Sequence, residues 1–220
     1  MRRRRRHPTT VTRSGEPRPR RLTELMRLPR RSPLYPELSR ALAAADAFHV
    51  LHSNLEPVPV RPTSTTSQSG CYRLRKGDPV DLRVSGRHGR VPLSFLHELG
   101  HFVDHQLGAA LGPSWASGHD DAFAAWRAAA AELPSRAPAG SGRSRRRYFD
   151  SAKEVWARSY AQTVLTRTRD PLLQGHLTRL LELDDVFVWP AAEFAFLAVE
   201  VDRVLARLEL LRAEPVLAAA

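Results

Sequence analysis

Residues 95–103 (FLHELGHFV) place two histidines and a glutamate inside an otherwise apolar run. Four residues of an α-helix advance by about 400°, so His97 and His101 lie on one helix face, one turn apart. Ionisable groups buried among apolar side chains are costly unless they are paired or bind a metal. The chain must therefore fold so that a second element completes this face. The alternative is a surface helix whose two histidines contact only solvent.

The HExxH spacing of these residues predicts a zinc site. Two imidazoles one turn apart can bind one zinc ion, and Glu98, next to the first ligand, can reach a metal-activated water and act as a general base. The helix is predicted over residues 92–107, with Gly108 as its end. It follows a predicted β-hairpin with strands at residues 70–74 and 80–84.

The residues just after the motif do not supply a third ligand. Leu107 stands where the metzincin continuation would place a histidine, so that class is excluded. His105 lies eight residues beyond His97, about 12 Å along the helix axis, too far for both to bind one zinc ion. We therefore expect His105 at the surface or behind a ligand. Asp104 is expected either to orient a ligating imidazole or to be solvated.

The best third ligand is Glu154, near the start of a helix predicted over residues 152–167. A carboxylate there can cross the HExxH helix and present an oxygen to zinc, and Ala157 one turn later leaves room for the packing. The alternative is that Glu154 only completes a capping box that begins at Ser151.

The HELGH segment and the later run EVWARSY (residues 154–160) together resemble the gluzincin-type zincin-like metallopeptidases. The similarity is closest to the domains carried by phage and mobile-element polyvalent proteins and more distant to lethal-factor-like peptidases. It covers residues 72–211 and includes the WPAAEF segment at residues 189–194. We expect an α+β fold in which a small twisted sheet packs on a mostly helical body, with the HExxH helix on the floor of a cleft.

The resemblance also implies roles for individual residues. The expected zinc ligands are His97, His101 and Glu154, and the expected catalytic base is Glu98.

Further roles are implied outside the ligand set. A substrate peptide would pair with an edge strand formed by Cys71, Tyr72, Arg73 and Leu74. Tyr148 is the candidate for a transition-state tyrosine, its alternative being an interface aromatic. The thermolysin-like pattern has aspartate four residues after the glutamate ligand, where this chain has Arg158. We expect Arg158 to form an ion pair with a nearby acid or to polarise the scissile carbonyl.

The net charge of +11 is concentrated at the N-terminus. Residues 1–31 hold 12 arginines against Glu16 and Glu24, whereas the remaining 189 residues carry 22 basic and 21 acidic groups. The prolines and the low apolar content predict a disordered basic arm over residues 1–31. This arm is either a solubilising extension or an anchor for nucleic acid or an anionic surface.

The composition predicts the cellular compartment of the protein. No apolar run is long enough to span a bilayer, and no apolar segment follows the N-terminal arginines as in a secretory signal. The single cysteine, Cys71, excludes an internal disulfide, so we expect a cytoplasmic protein.

The predicted organisation is an arm at residues 1–31, a zincin-like domain at residues 32–213 and a frayed tail at residues 214–220. Further helices are predicted over residues 35–55, 119–133, 173–183 and 191–211, with a loop over residues 135–147. All four tryptophans are expected in the core. The expected function is that of a zinc-dependent endopeptidase acting on peptide or protein substrates. The alternatives are a catalytically inactive zinc-binding or interaction module and a protease held on nucleic acid by the arm.

Overall fold

The computed structural model describes residues 10–109 and 115–211. Strands and helices alternate in the first half of the chain, and helices make up the second half, which gives the α+β class expected from the sequence. The strands are β1 Arg13–Arg21, β2 Met26–Arg27, β3 Val50–Leu55, β4 Val58–Thr63, β5 Gly70–Arg75 and β6 Asp78–Ser85. The helices are α1 Leu22–Leu25, α2 Tyr35–Phe48, α3 Val91–Ala109, α4 Ala116–His119, α5 Ala124–Ala131, α6 Arg143–Phe149, α7 Ala152–Arg167, α8 Pro171–Glu182 and α9 Ala191–Arg207. A short 3-10 helix, Asp121–Phe123, joins α4 to α5.

Two sheets are present in the described residues. A four-stranded sheet has the order β2-β4-β6-β5, with the first two pairings parallel and β5 antiparallel to β6. A two-stranded antiparallel sheet joins β1 to β3. The predicted β5–β6 hairpin is confirmed, and its turn uses Lys76 at φ 53° and Gly77 at φ 85°. Two consecutive positive φ angles give the turn the twist that suits the flanking strands. β5 is an edge strand of its sheet.

The helix α3, which contains residues 97–101, lies at the centre of the fold. It packs against the β5–β6 hairpin on one side and against α7 on the other, so it is buried almost all round. Gly100 allows the close approach of α7, because a Cβ there would lie 3.0 Å from the Cα of Ala157. The indole of Trp156 donates a hydrogen bond of 3.2 Å to the carbonyl of Gly100. The two helices that carry the candidate ligands are therefore held in direct backbone contact.

The prediction of a disordered arm is wrong for residues 13–27. This segment forms β1, α1 and β2, and its Leu22, Leu25 and Met26 are buried in the core. The guanidinium of Arg21 pairs with the buried carboxylate of Asp46 at 2.7 Å. These three apolar side chains and the pairing of β1 with β3 hold the segment on the body, although arginines dominate its composition. Residues 1–9 and the tail at residues 214–220 lie outside the described residues.

Some predicted boundaries also differ from the structure. The helix predicted through residue 55 ends at Phe48, because Val50–Leu55 pairs with β1 as strand β3. The single helix predicted over residues 119–133 is divided between α4, the 3-10 helix and α5. Part of the loop predicted over residues 135–147 is the helix α6.

The end of α2 carries a buried histidine that predicts a pH-dependent stability. His49 is fully buried, and its Nδ1 and Nε2 atoms lie 2.8 Å from the carbonyl of Val50 and the hydroxyl of Tyr160. Nδ1 therefore donates to the carbonyl, and Nε2 accepts from the tyrosine. Burial lowers the pKa of His49 from 6.5 to about 4. Because the unfolded chain binds this proton more tightly, stability is full above pH 6.5 and falls as the pH drops toward 4, by about 3 kcal/mol.

Chemical denaturation at a series of pH values tests this prediction. The His49→Asn variant should show a flatter dependence between about pH 4 and 6.5 than the wild type. The matched control is His52→Asn, three residues away at an exposed position, which should keep the wild-type slope. An unchanged slope in His49→Asn would refute the assignment.

Candidate metal centre

Three side chains from α3 and α7 converge at one point. The Nε2 atom of His97 lies 3.4 Å from Oε2 of Glu154, and the Nε2 atom of His101 lies 3.3 Å from Oε1 of the same carboxylate. The two imidazole rings are nearly perpendicular, with centroids 4.7 Å apart. Across the part of the chain that the structure describes, this is the one group of three such side chains able to hold a metal ion.

The donor set and its spacing fit zinc. Ligand atoms about 2.0–2.1 Å from a tetrahedral ion are separated from one another by about 3.3 Å. The two nitrogen–oxygen distances match this value, and all three ligand atoms lie within 4.8 Å of one another. Two histidines and a glutamate are also the protein ligands of a common type of catalytic zinc site, which leaves a fourth position for water or substrate.

Glu154 faces the histidines and not the start of its own helix. The Ser151 side chain makes no capping hydrogen bond and donates instead to the carbonyl of Tyr148 at 2.7 Å. The capping-box role considered for Glu154 is therefore not realised. Burial alone would raise the pKa of Glu154, but hydrogen bonds from His101 and His97 outweigh it and hold that pKa well below its usual range. The same carboxylate outweighs burial at His101 and raises the pKa of its imidazole.

Glu98 lies beside this triad and is tied to the edge strand. Its Oε2 atom accepts a hydrogen bond of 2.6 Å from the backbone N–H of Tyr72 on β5. The residue is only 5% exposed, and burial raises the pKa of its carboxyl while the nearby His97 and His101 oppose the rise. A carboxyl with a raised pKa beside a metal site is suited to accepting and returning a proton.

Gly70 leaves the space that Glu98 occupies, which gives a testable prediction. A Cβ at position 70 would lie 2.7 Å from both Cγ and Oε1 of Glu98. We expect Gly70→Ala to displace the Glu98 carboxylate and to lower any metal-dependent activity by at least tenfold, because small errors in position cost catalysis heavily. Zinc content should stay at the wild-type level, since no ligand moves.

Activity assays and metal analysis on the same protein samples test the Gly70 prediction. Gly118→Ala is the control, since a Cβ at that exposed position would meet no atom within 4 Å. Loss of zinc from Gly70→Ala would show that the substitution disturbs the ligands themselves.

A cavity of about 580 Å³ opens onto the triad and Glu98. Tyr148, the candidate transition-state tyrosine, lies on its wall with 55% of the residue exposed. Burial and the neighbouring Glu154 carboxylate raise the pKa of the Tyr148 phenol, so it is a hydrogen-bond donor throughout the neutral range.

Of the four residues expected to form the substrate-binding strand, two line the cavity and two do not. Cys71 and Tyr72 line the cavity, whereas Arg73 turns to Asp81 and Leu74 lies outside the lining. The N–H of Tyr72 is already donated to Glu98, so in this conformation it is not free for an extended peptide.

Asp104 and His105 are placed differently from the sequence expectations. Asp104 accepts hydrogen bonds of 2.7 Å from both the backbone N–H and the hydroxyl of Ser117, and so it anchors α4 instead of orienting a ligand. Accordingly, the Nδ1 atoms of His97 and His101 are buried with no hydrogen-bond partner in the described residues. His105 is not at the surface: it is 5% exposed and its Nδ1 lies 2.9 Å from the hydroxyl of Tyr72.

Arg158 is buried without the expected ion pair. It donates hydrogen bonds to the carbonyls of Glu154 and Phe149, at 3.2 and 2.6 Å. Its guanidinium lies 4.0 Å from the ring centroid of Phe149 and 4.8 Å from that of Trp189. No carboxylate within the described residues lies within 4.0 Å of it, and burial lowers its pKa to about 10. Arg158 therefore supports the start of α7 and also lies on the wall of the cavity, where its Nη1 atom has no hydrogen-bond partner in the described residues.

Trp115 and Lys153 are among the residues of the cavity wall that the sequence analysis did not assign to the site. Trp115, expected in the core, lies on the wall, and the Nζ atom of Lys153 is 5.3 Å from its ring centroid. Lys153 immediately precedes Glu154 and is one of two lysines in the chain, which was the available signal. Trp126, Trp156 and Trp189 are in the core as expected.

Comparison with known proteins adds no relative. No protein-family model matches the chain, and neither the characterised proteins nor the solved structures contain a significant match. Within the described residues, no helix combines the length and the apolar character needed to cross a membrane.

Proposed function

We propose that this chain is a zinc-dependent endopeptidase with a gluzincin-type, zincin-like fold. The observation that carries the proposal is the triad of His97, His101 and Glu154, whose ligand atoms are spaced for one zinc ion, with the buried carboxylate of Glu98 beside it. The resemblance of the HELGH and EVWARSY segments to that family points the same way.

In the proposed reaction, three residues bind the metal and a fourth transfers the proton. When bound by His97, His101 and Glu154, zinc supplies Lewis acidity that activates water and polarises a peptide carbonyl. Glu98 accepts the proton of the attacking water at a carboxylate oxygen and delivers it to the departing amine. Tyr148, with its phenol proton retained, donates a hydrogen bond to the oxygen on which negative charge develops.

Substrate would lie along β5 at the cavity. An extended peptide adds readily to an exposed sheet edge, and Gly70, Cys71 and Tyr72 are the residues of β5 that line the cavity. Binding there requires that the N–H of Tyr72 be released by Glu98, which couples substrate docking to freeing the base. With a single cysteine and no disulfide to form, we place this activity in the cytoplasm.

A zinc-binding module without catalysis is the second candidate. It is favoured by the engagement of Glu98 with the Tyr72 N–H and by the two imidazole Nδ1 atoms, which have no acceptor among the described residues. Metal analysis of the purified full chain, followed by mass spectrometry of a peptide library incubated with it, separates the two. One zinc ion with chelator-sensitive cleavage supports the enzyme, one zinc ion without cleavage supports the module, and no zinc under metal-replete conditions overturns both.

A further inference from the structure

A second cavity, of about 670 Å³, contains a single buried carboxylate surrounded by arginines. Asp81 on β6 is 1% exposed, and Arg73 on β5 binds it with both Nε and Nη2, at 2.6 and 2.7 Å. Arg61 and Arg83 approach the same carboxylate at 3.3 and 3.5 Å. One carboxylate therefore positions three guanidinium groups, which it cannot neutralise.

The strand register explains why these side chains meet. Arg73 is paired with Asp81 across the hairpin, and Arg61 is paired with Arg83 across β4 and β6. Residues two apart in a strand share a face, so Asp81 and Arg83 point to the same side of the sheet. Arg27, from β2 at the other end of the sheet, completes the arginine set and is exposed.

The cavity has an excess of positive charge. Its lining holds Arg27, Arg61, Arg73 and Arg83 against Glu56 and Asp81, a net of +2. Beyond the two hydrogen bonds from Arg73, the arginines contact Asp81 only as ion pairs at 3.3 Å or more, and the side chains of Arg61 and Arg83 are 59% and 40% exposed. Guanidinium groups held in place with donors to spare are suited to phosphate oxygens, which they bind through paired N–H bonds.

The surroundings of this cavity favour a long polyanion over a small one. Residues 10–12 line it, and the N–H of Val11 is anchored to the carbonyl of Pro79 at 2.8 Å. The sequence holds five further arginines at residues 2–6, a few residues before Thr10. A ligand with many phosphates matches this concentration of arginines in the sequence better than a single phosphate does. Among the described residues, the lining contains no aromatic side chain on which an unpaired base could stack.

We propose that this arginine cavity is a binding site for the phosphodiester backbone of double-stranded nucleic acid. It is distinct from the metal centre and independent of its activity. Recognition is through phosphates and does not depend on base sequence, because the described lining offers charged groups and no element that could contact base edges in a DNA groove.

The test is binding of a short fluorescein-labelled DNA duplex to the full chain, followed by anisotropy at salt concentrations from about 50 to 200 mM. The double variant Arg27→Gln/Arg61→Gln removes two charges and leaves Arg73 to satisfy Asp81. We expect the slope of log K against log salt to fall by about 2, and affinity near 0.1 M salt to fall at least tenfold. The matched control, Arg146→Gln/Arg147→Gln, removes two exposed arginines from α6 and should lose much less affinity.

Every outcome decides the proposal. Equal loss in both double variants, or no loss in either, would show that binding follows net charge or residues 1–9, and would overturn the site. Weak binding of the duplex, together with binding of inorganic phosphate that is lost in Arg27→Gln/Arg61→Gln, would identify a small-anion pocket and overturn the assignment to nucleic acid. Binding of phosphatidylserine vesicles in preference to the duplex would do the same. Unchanged circular dichroism of each variant excludes unfolding as the cause.

Discussion

Replacing Glu154 with glutamine is expected to remove zinc from the protein while leaving the fold intact. Loss of groups that merely support a metal ligand lowers affinity by 10- to 100-fold, so loss of the carboxylate ligand itself should cost more than about 100-fold. Glutamine keeps the volume of the side chain at a position where α7 is pressed against α3. The measurement is zinc affinity by competition with a chromophoric chelator, with metal content determined on the same samples.

A control and a second readout make the Glu154 prediction specific. Glu193→Gln makes the same chemical change at an exposed glutamate on α9 and should retain the wild-type affinity for zinc. In the metal-free protein, removal of the Glu154 carboxylate should also lower the pKa of His101, because that carboxylate is what raises it. Histidine resonances followed by NMR during a pH titration report this shift. Wild-type zinc affinity in Glu154→Gln would contradict the assignment of the third ligand.

The ligand triad could be foreseen because each of its parts has a local signal. The HExxH spacing places His97 and His101 on one helix face. The helix carrying Glu154 has the predicted bounds, and Ser151 stands at its N-cap position although its side chain forms no capping hydrogen bond. Gly100 and Ala157 were visible as small residues on the two helices, and the structure shows that they make the contact between α3 and α7.

The rest of the centre depends on tertiary contacts that leave little trace in the sequence. Asp104 binds Ser117, 13 residues later in the chain, so this contact depends on the path that the chain takes after α3. That Glu98 binds the N–H of Tyr72 depends on how β5 lies across α3. The N-terminal segment was misjudged for a related reason, since Leu22 and Leu25 are few among many arginines and gain their stability only from packing on distant residues.

Replacing Glu98 with glutamine is expected to separate zinc binding from hydrolysis. Glutamine cannot accept the proton of the attacking water, and general-base catalysis contributes about 10²- to 10⁴-fold to rate. Its amide oxygen can still accept the hydrogen bond from Tyr72, so the edge strand should stay in place. We expect kcat/KM for a cleaved peptide to fall by that factor, with one zinc ion retained per chain.

The Glu98 and Glu154 variants together distinguish a catalyst from a metal-binding module. In an endopeptidase, Glu154→Gln loses zinc and activity together, whereas Glu98→Gln loses activity alone, and added zinc does not restore it. In a module that binds zinc without catalysis, Glu154→Gln still loses zinc but neither variant changes peptide cleavage, because the wild type has none. Full activity in Glu98→Gln would instead require another base in the cavity. Among the described acids that line it, only Glu154 remains, and that carboxylate is held by both histidines.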